Sequence, residues 1–287
     1  MPGVGTTTEQ PRLIINADDF GMSEGINRGI LAAFRAGALR STSIMVGMPA
    51  FEDAVRVAQA AGDGLGVGLH FTLTIGRPLT DAPTLVDESG EFLKPDALLA
   101  RAVFGNIAEA EVAAECIAQI ARARDAGIRL THLDGHHHAH LGPGAIARAV
   151  RRVVEAERIP AVRRPLEPLF SEYGTANWWH RLPERLLVGV LTQMSDPRNW
   201  GVRTTDLFLG HGLLGQSRFG DLLVRALDTL PIGTTELMVH PGYVDGPLPG
   251  NDPYTTQREV ELEALLSPDV VERLRAGRIC LTHFGEL

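Results

Sequence analysis

The segment Leu130-Thr131-His132-Leu133-Asp134-Gly135-His136-His137-His138-Ala139-His140 contains five of the chain's ten histidines. Ionisable residues alternate with Thr131 and Leu133 in its first half, so an extended strand would place them on one face and leave the other face for packing. Gly135 marks the end of the strand pattern, and Pro143-Gly144 precedes a helical pattern. The sequence therefore predicts a strand, a histidine-rich loop and then a helix.

This histidine-rich stretch has the composition of a metal site. Neutral imidazole is the commonest metal-binding side chain, and a neighbouring carboxylate can hold the second ring nitrogen and fix the tautomer. Asp134 is a candidate for that orienting role. The alternative interpretations are a solvated loop or the remnant of an expression tag. The stretch is internal and interrupted by Ala139, which argues against a tag.

Strand and helix patterns alternate along the rest of the chain. Strands are predicted at 13–17, 41–46, 67–73, 130–135, 161–163, 202–209, 235–240 and 278–282. Helices are predicted after Ser23 and at 49–61, 95–104, 107–126, 145–158, 216–229 and 256–275. A long loop is expected at 75–95, and 166–200 is a mixed segment that contains Trp178, Trp179 and Trp200. Such alternation is typical of a parallel sheet covered by helices.

Polar residues stand at the carboxyl ends of five predicted strands: Asp18-Asp19, His70, Asp134 with His136, Arg163 and His240. A (β/α) barrel builds its active site at that end from several strands. An open doubly wound sheet would instead concentrate ligands near one switch point. The spread therefore favours an α/β fold with a barrel of seven or eight strands, formed as a single domain by residues 11–287 after a disordered segment 1–10.

Each of these residues also has an ordinary structural interpretation. Asp18 and Asp19 could cap the next helix, but two carboxylates at one strand end repel each other unless a cation or proton separates them. A single histidine such as His70 is more often a packed core residue than a functional one. For His240, a functional role and a packing role are equally supported. Arg163 could belong to a surface charge pair, although its planar fork suits a buried carboxylate.

Composition and charge exclude several classes of function. The chain has 287 residues and a net charge of −8, which disfavours nucleic acids and acidic membranes as partners. No stretch approaches the ~20 apolar residues of a membrane span. The two cysteines, Cys116 and Cys280, are expected to be reduced thiols, so a cytoplasmic protein is predicted. A homodimer is compatible with the sequence.

Four segments together resemble the signature segments of the YdjC-like carbohydrate deacetylases. They are Asn16-Ala17-Asp18-Asp19-Phe20-Gly21, Gly68-Leu69-His70-Phe71-Thr72-Leu73, the 131–140 stretch and Val239-His240-Pro241-Gly242-Tyr243. The resemblance implies a distorted (β/α) barrel of the glycoside hydrolase/deacetylase type. It also implies a divalent metal, either Mg²⁺ or Zn²⁺, and hydrolysis of the N-acetyl group of an acetylated amino sugar.

The resemblance also assigns roles by position. The metal ligands would be Asp19, His70 and His136, and Asp18 would be the catalytic base, as in the similar polysaccharide deacetylases. Arg163 matches the arginine that orients the base in those relatives. From the chemistry, His240 is assigned as the proton donor to the leaving amine. The sequence leaves open whether His137, His138 or His140 contributes.

Three other functions remain open from the sequence. A metal-dependent phosphoester hydrolase or a sugar isomerase could use the same barrel, but a phosphate site would favour a basic cluster or a glycine-rich loop at a helix start. The third alternative is a non-catalytic sugar-binding barrel with a structural metal. A structural zinc site would be closed by four protein ligands.

Overall fold

A parallel sheet forms the centre of the computed structural model, which describes residues 10–168 and 181–287. Seven strands lie in these residues: β1 Arg12–Phe20, β2 Ser41–Ile44, β3 Gly66–Phe71, β4 Leu130–Gly135, β5 Leu207–Leu209, β6 Thr234–Val239 and β7 Cys280–Leu281. The prediction of a disordered 1–10 segment, apart from its last residue, lies outside the described residues, as do Trp178 and Trp179.

The strand order is β4-β3-β2-β1-β6-β5, and every pairing is parallel. Two isolated bridges, Leu133 with Val162 and Ala161 with Arg203, continue the sheet beyond β4. The short strand β7 pairs with Arg12 and Leu13 at the start of β1, whereas β2 pairs with β1 from Asn16 onward. The sheet is curled into a half-barrel, which confirms the predicted α/β fold and its distorted barrel.

Helices surround the sheet. They are α1 Glu24–Ala36, α2 Phe51–Ala61, α3 Pro95–Val103, α4 Glu109–Asp125, α5 Ala145–Ala156, α6 Leu182–Met194, α7 Phe219–Asp228, α8 Thr256–Leu266 and α9 Pro268–Arg275. The predicted cap of α1 is present, because Ser23 Oγ accepts the Ile26 N–H at 3.2 Å. None of the helices in the described residues is long and apolar enough to cross a membrane.

Three elements differ from the sequence prediction. The helix predicted at 256–275 is two helices. Pro268 has no N–H with which to continue α8, and α9 begins there, capped by the Ser267 hydroxyl, which accepts the Val270 N–H. The strand predicted at 161–163 is reduced to two isolated bridges, made by Ala161 and Val162. The segment is flanked by Pro160 and Pro165, and a proline has no N–H to donate to a strand ladder.

The strand predicted at 202–209 was also too long, since only Leu207–Leu209 is a regular strand. The side chain of Asp206 accepts the backbone N–H of Thr234 at 2.8 Å. The backbone N–H of Asp206 also donates to the Thr234 carbonyl at 2.9 Å, so pairing with β6 begins at Asp206 and residues 202–205 lie outside it.

The interior of the half-barrel changes in polarity from one end to the other. At the amino ends of the strands, Ile14, Ala161 and Phe284 form a small apolar cluster. Phe284 stacks on His132 with ring centroids 4.0 Å apart. A Cβ at Gly68 would lie 2.3 Å from the His132 ring, so that close approach requires glycine. The carboxyl ends carry the ionisable side chains Asp18, Asp19, His70 and Asp134.

Candidate metal centre

The end of β1 is distorted where the two aspartates lie. The β1–β2 register shifts between Ala17 and Phe20, and Asp19 has a φ of 67°. This left-handed conformation is tolerated by aspartate better than by most residues. Because of it, the two consecutive carboxylates meet different partners and occupy separate parts of the site.

Asp19, His70 and His136 come together in the buried interior. Asp19 Oδ1 lies 3.3 Å from His70 Nε2 and 3.1 Å from His136 Nδ1. One ligand atom from each residue lies within 4.8 Å of the other two, which is a spacing that can hold a metal ion. A carboxylate and two imidazoles leave positions open for water or substrate, as catalytic metal sites do.

A second set of side chains orients His70. Its Nδ1 lies 2.8 Å from Asp134 Oδ1 and 3.2 Å from Ser43 Oγ, and Ser43 in turn donates to Asp134 Oδ2 at 2.8 Å. Burial disfavours the charged ring, but Asp134 and the bond to Asp19 outweigh it and raise the pKa of His70 to about 10. The expected orienting function of Asp134 is thus directed at His70, on the neighbouring strand.

Arg258 contacts the other oxygen of Asp19. Its Nη2 donates to Asp19 Oδ2 and to Asp252 Oδ2, each at 2.7 Å. Burial alone would raise the pKa of Asp19, but Arg258 and the hydrogen bonds from His136 and His70 hold it well below its usual range. Asp19 is therefore ionised and offers Oδ1 towards the two histidines. Sequence analysis missed Arg258, which is one of several arginines in amphipathic helical segments.

Arg163 lies at the centre of a buried ionic network. Its two terminal nitrogens pair with the two oxygens of Asp18, both at 2.6 Å, and one of them lies 3.0 Å from Asp134 Oδ2. Its Nε donates to Glu236 Oε1 at 2.6 Å. The guanidinium is fully buried, and the bidentate geometry fixes the Asp18 carboxylate. Arg163 thus contacts a buried carboxylate, as its fork suggested.

One arginine faces three carboxylates in this network, and Glu236 is the least well compensated. Its Oε2 has no hydrogen-bond partner. Burial raises the pKa of Glu236 to about 7, although Arg163 acts in the opposite direction. Glu236 lies on β6, two residues before Met238 and four before His240, so it shares their inward face.

His240 lies beside Asp18 without a direct hydrogen bond to it. The distance from His240 Nε2 to Asp18 Oδ2 is 4.0 Å. The backbone N–H of His240 donates to Glu261 at 2.6 Å, and its ring meets Tyr254 edge-on at 5.5 Å. Glu261 also accepts the Tyr254 hydroxyl. These contacts fix the end of β6 and leave the imidazole facing the other site residues.

A cavity of about 200 Å³, which we call the site cavity, opens onto these groups. Asp18, Asp19, His70, His136 and His240 all line it. His137 and His138 also line the site cavity but belong neither to the set of Asp19, His70 and His136 nor to the second candidate metal set in the described residues, which is Asp18, His70 and Asp134. His140 instead lies 3.2 Å from the Arg163 carbonyl. His211, which the sequence did not single out, is a further lining residue; burial lowers its pKa to about 3.

Comparison with known proteins identifies the family of the chain. A family model described as YdjC-like protein matches residues 12–276. The chain belongs to the YdjC-like family. This YdjC-like chain is 36% identical to a carbohydrate deacetylase of Geobacillus stearothermophilus over 95% of the chain and 96% of the relative.

Two further comparisons extend over nearly the full length of this chain. The carbohydrate deacetylase of Brevibacillus brevis is 35% identical over 96% of this chain and 99% of its own length. A crystal structure of a candidate cellobiose-phosphate cleavage protein from Enterococcus faecalis V583 superposes with a TM-score of 0.73 and 24% identity, covering 96% of this chain and 98% of that one. This last likeness supports the fold of the YdjC-like chain.

Proposed function

We propose that this protein is a metal-dependent carbohydrate deacetylase that removes the N-acetyl group from an acetylated amino sugar or oligosaccharide. The single observation that carries the proposal is the separation of the two adjacent aspartates. Asp19 faces two histidines, whereas Asp18 is held by Arg163 beside His240. Relatives with 31–36% identity are described as carbohydrate deacetylases, which supports the same activity here.

The residues present fit one divalent cation. Asp19 Oδ1, His70 Nε2 and His136 Nδ1 would hold it, and Asp134 would keep His70 in the orientation that directs Nε2 inward. Mg²⁺ and Zn²⁺ both remain candidates, since imidazole suits zinc and a site with carboxylate and water can hold magnesium. Such a cation would supply Lewis acidity for water activation and carbonyl polarisation.

The other side chains carry the proton transfers. Asp18, held by two bonds to Arg163, would accept the proton of the attacking water at a carboxylate oxygen. His240 would give the proton from its ring to the amine nitrogen as the amide C–N bond breaks. The products are acetate and the free amino sugar. His240 Nε2 is 4.0 Å from Asp18 Oδ2, so base and acid lie on adjacent sides of one small space.

The test is incubation of metal-loaded protein with small N-acetylglucosamine oligomers and measurement of released acetate. Asp18→Asn should lower turnover by ~10²-fold or more while metal remains bound, because a positioned general base contributes on that order. Asp63→Asn is the control, since that side chain is almost fully exposed. Full activity of Asp18→Asn, or release of phosphate from phosphoesters without acetate release, would contradict the proposal.

The proposed setting is the cytoplasm, where thiols are kept reduced. Cys116 is buried and Cys280 is exposed, and both are free. Free thiols are usual in that compartment. We further propose an acetylated sugar as the small-molecule partner. The net charge of −8 disfavours nucleic acid as a partner.

A further inference from the structure

A second, larger cavity adjoins the site cavity. Its volume is about 500 Å³, and it lies between α3, the 136–141 segment and α6. We call this cavity the aliphatic pocket, because the side chains that line it are mainly Leu98, Leu99, Ile146, Leu187, Val188 and Leu191. The site cavity alone, at about 200 Å³, is smaller than the ~300–1,000 Å³ of most ligand pockets.

Polar residues form the boundary between the two cavities. His137, His138, Arg181 and Glu184 line both. Arg181 pairs with Glu184 at 2.7 Å, and His137 Nδ1 bonds Thr74 Oγ1 at 3.0 Å. The lining therefore changes from the proposed metal ligands, through His137 and the Arg181–Glu184 ion pair, to aliphatic side chains.

We propose that the aliphatic pocket binds an apolar substituent of the sugar substrate while the amide lies in the site cavity. This inference rests on the proposed deacetylase function and narrows its substrate class. Hydroxyl groups of a further sugar would find few hydrogen-bond partners among leucine and valine side chains, and burying them unpartnered is unfavourable. An alkyl or aryl group gains free energy by the same burial.

The apolar group can be either the N-acyl chain, if it is longer than acetyl, or an apolar aglycone. Both are hydrocarbon groups that gain free energy when they are buried. Two substrate series separate these sources. One lengthens the N-acyl chain of glucosamine from acetyl to octanoyl, and the other lengthens the aglycone of N-acetylglucosamine from methyl to octyl. KM should fall by about twofold to fourfold for each added methylene along one of the two series, because burial of each CH₂ group out of water is favourable by roughly that factor.

Leu187 and Leu186 provide a matched pair of variants. They are neighbours on α6 with similar exposure, 41% and 45%, but only Leu187 lines the aliphatic pocket. Both changes to glutamine should leave the fold intact, because neither side chain is in the core. Leu187→Gln should reduce the chain-length effect on KM by half or more, whereas Leu186→Gln should leave the effect unchanged.

Calorimetric binding of the same compounds gives a measure that does not need turnover. Affinity that rises with chain length and falls in Leu187→Gln supports the pocket. Constant KM and affinity along both series, or equal responses of the two variants, would overturn it even if N-acetylglucosamine oligomers are hydrolysed. Chain-length-dependent binding without any deacetylation would instead overturn the proposed function and retain an apolar binding pocket.

Discussion

Replacement of Arg163 by methionine tests the buried network directly. The change removes the cation that bonds Asp18, Asp134 and Glu236 and leaves these carboxylates facing one another out of water. Removing one partner of a buried pair costs about 3–5 kcal/mol of unfolding free energy. For a chain of this size that loss corresponds to a fall in Tm on the order of 10 °C.

The pH dependence of Arg163→Met is the sharper part of the prediction. Without the guanidinium, the pKa of Glu236, which burial already raises to about 7, should rise further above its unfolded value, because Arg163 opposes that shift. Such a group destabilises the folded protein increasingly as pH rises from the unfolded pKa to the folded pKa. The stability deficit relative to the natural sequence should therefore be larger at pH 8 than at pH 5.

Urea unfolding at both pH values measures these differences. Arg28→Met is the control, because Arg28 forms an exposed pair with Asp245 and such pairs contribute at most about 1 kcal/mol. Arg163→Lys should lose less than Arg163→Met, since the charge remains. A loss below 1 kcal/mol in Arg163→Met, or a deficit that does not change between pH 5 and pH 8, would refute this account of the network.

The remaining predictions concern the site residues one at a time. His70→Ala should lose bound metal while circular dichroism stays native; full occupancy by metal analysis would reject it as a ligand. Asp134→Asn should weaken metal binding by about 10- to 100-fold in calorimetry, as loss of a group that orients a ligand does. His240→Ala should keep its metal and lose amide turnover far more than turnover of a nitrophenyl acetate, and equal losses would argue against proton donation. Because burial raises the pKa of Glu236 from 4.5 to about 7, this carboxyl group alone should remove ~3 kcal/mol of stability between those pH values, so Glu236→Gln should gain that amount relative to the natural protein in urea titrations.

The sequence predicted the fold because strand and helix periods alternate over most of the chain. It was least accurate at 161–163, which lies between two prolines, and at 202–209, where pairing with β6 begins only at Asp206. Residues at strand ends could be placed on one edge because parallel strands end together. The structure brings Asp18, Asp19, His70, His136 and the other strand-end residues to that edge.

Residues that reach the site from outside the strand ends could not be found in this way. Arg258 lies on α8, and only the packing of that helix brings its guanidinium within 2.7 Å of Asp19. His211 follows β5, whose length was predicted incorrectly. The alternation of β6 places Glu236 on the inward face. Its charge is only partly compensated because three carboxylates share Arg163, and no local sequence pattern shows that sharing.

The pairing of β1 has a consequence for synthesis on the ribosome. β1 is made well before two of its partners, since it pairs on one side with β6, which begins at Thr234, and at its start with β7 near residue 280. At ~5–20 residues per second, more than ten seconds pass before those partners exist. The nascent chain must carry an incompletely paired, apolar β1 through that interval, and we expect slow translation or lack of chaperones to reduce the yield of native protein more than its final stability.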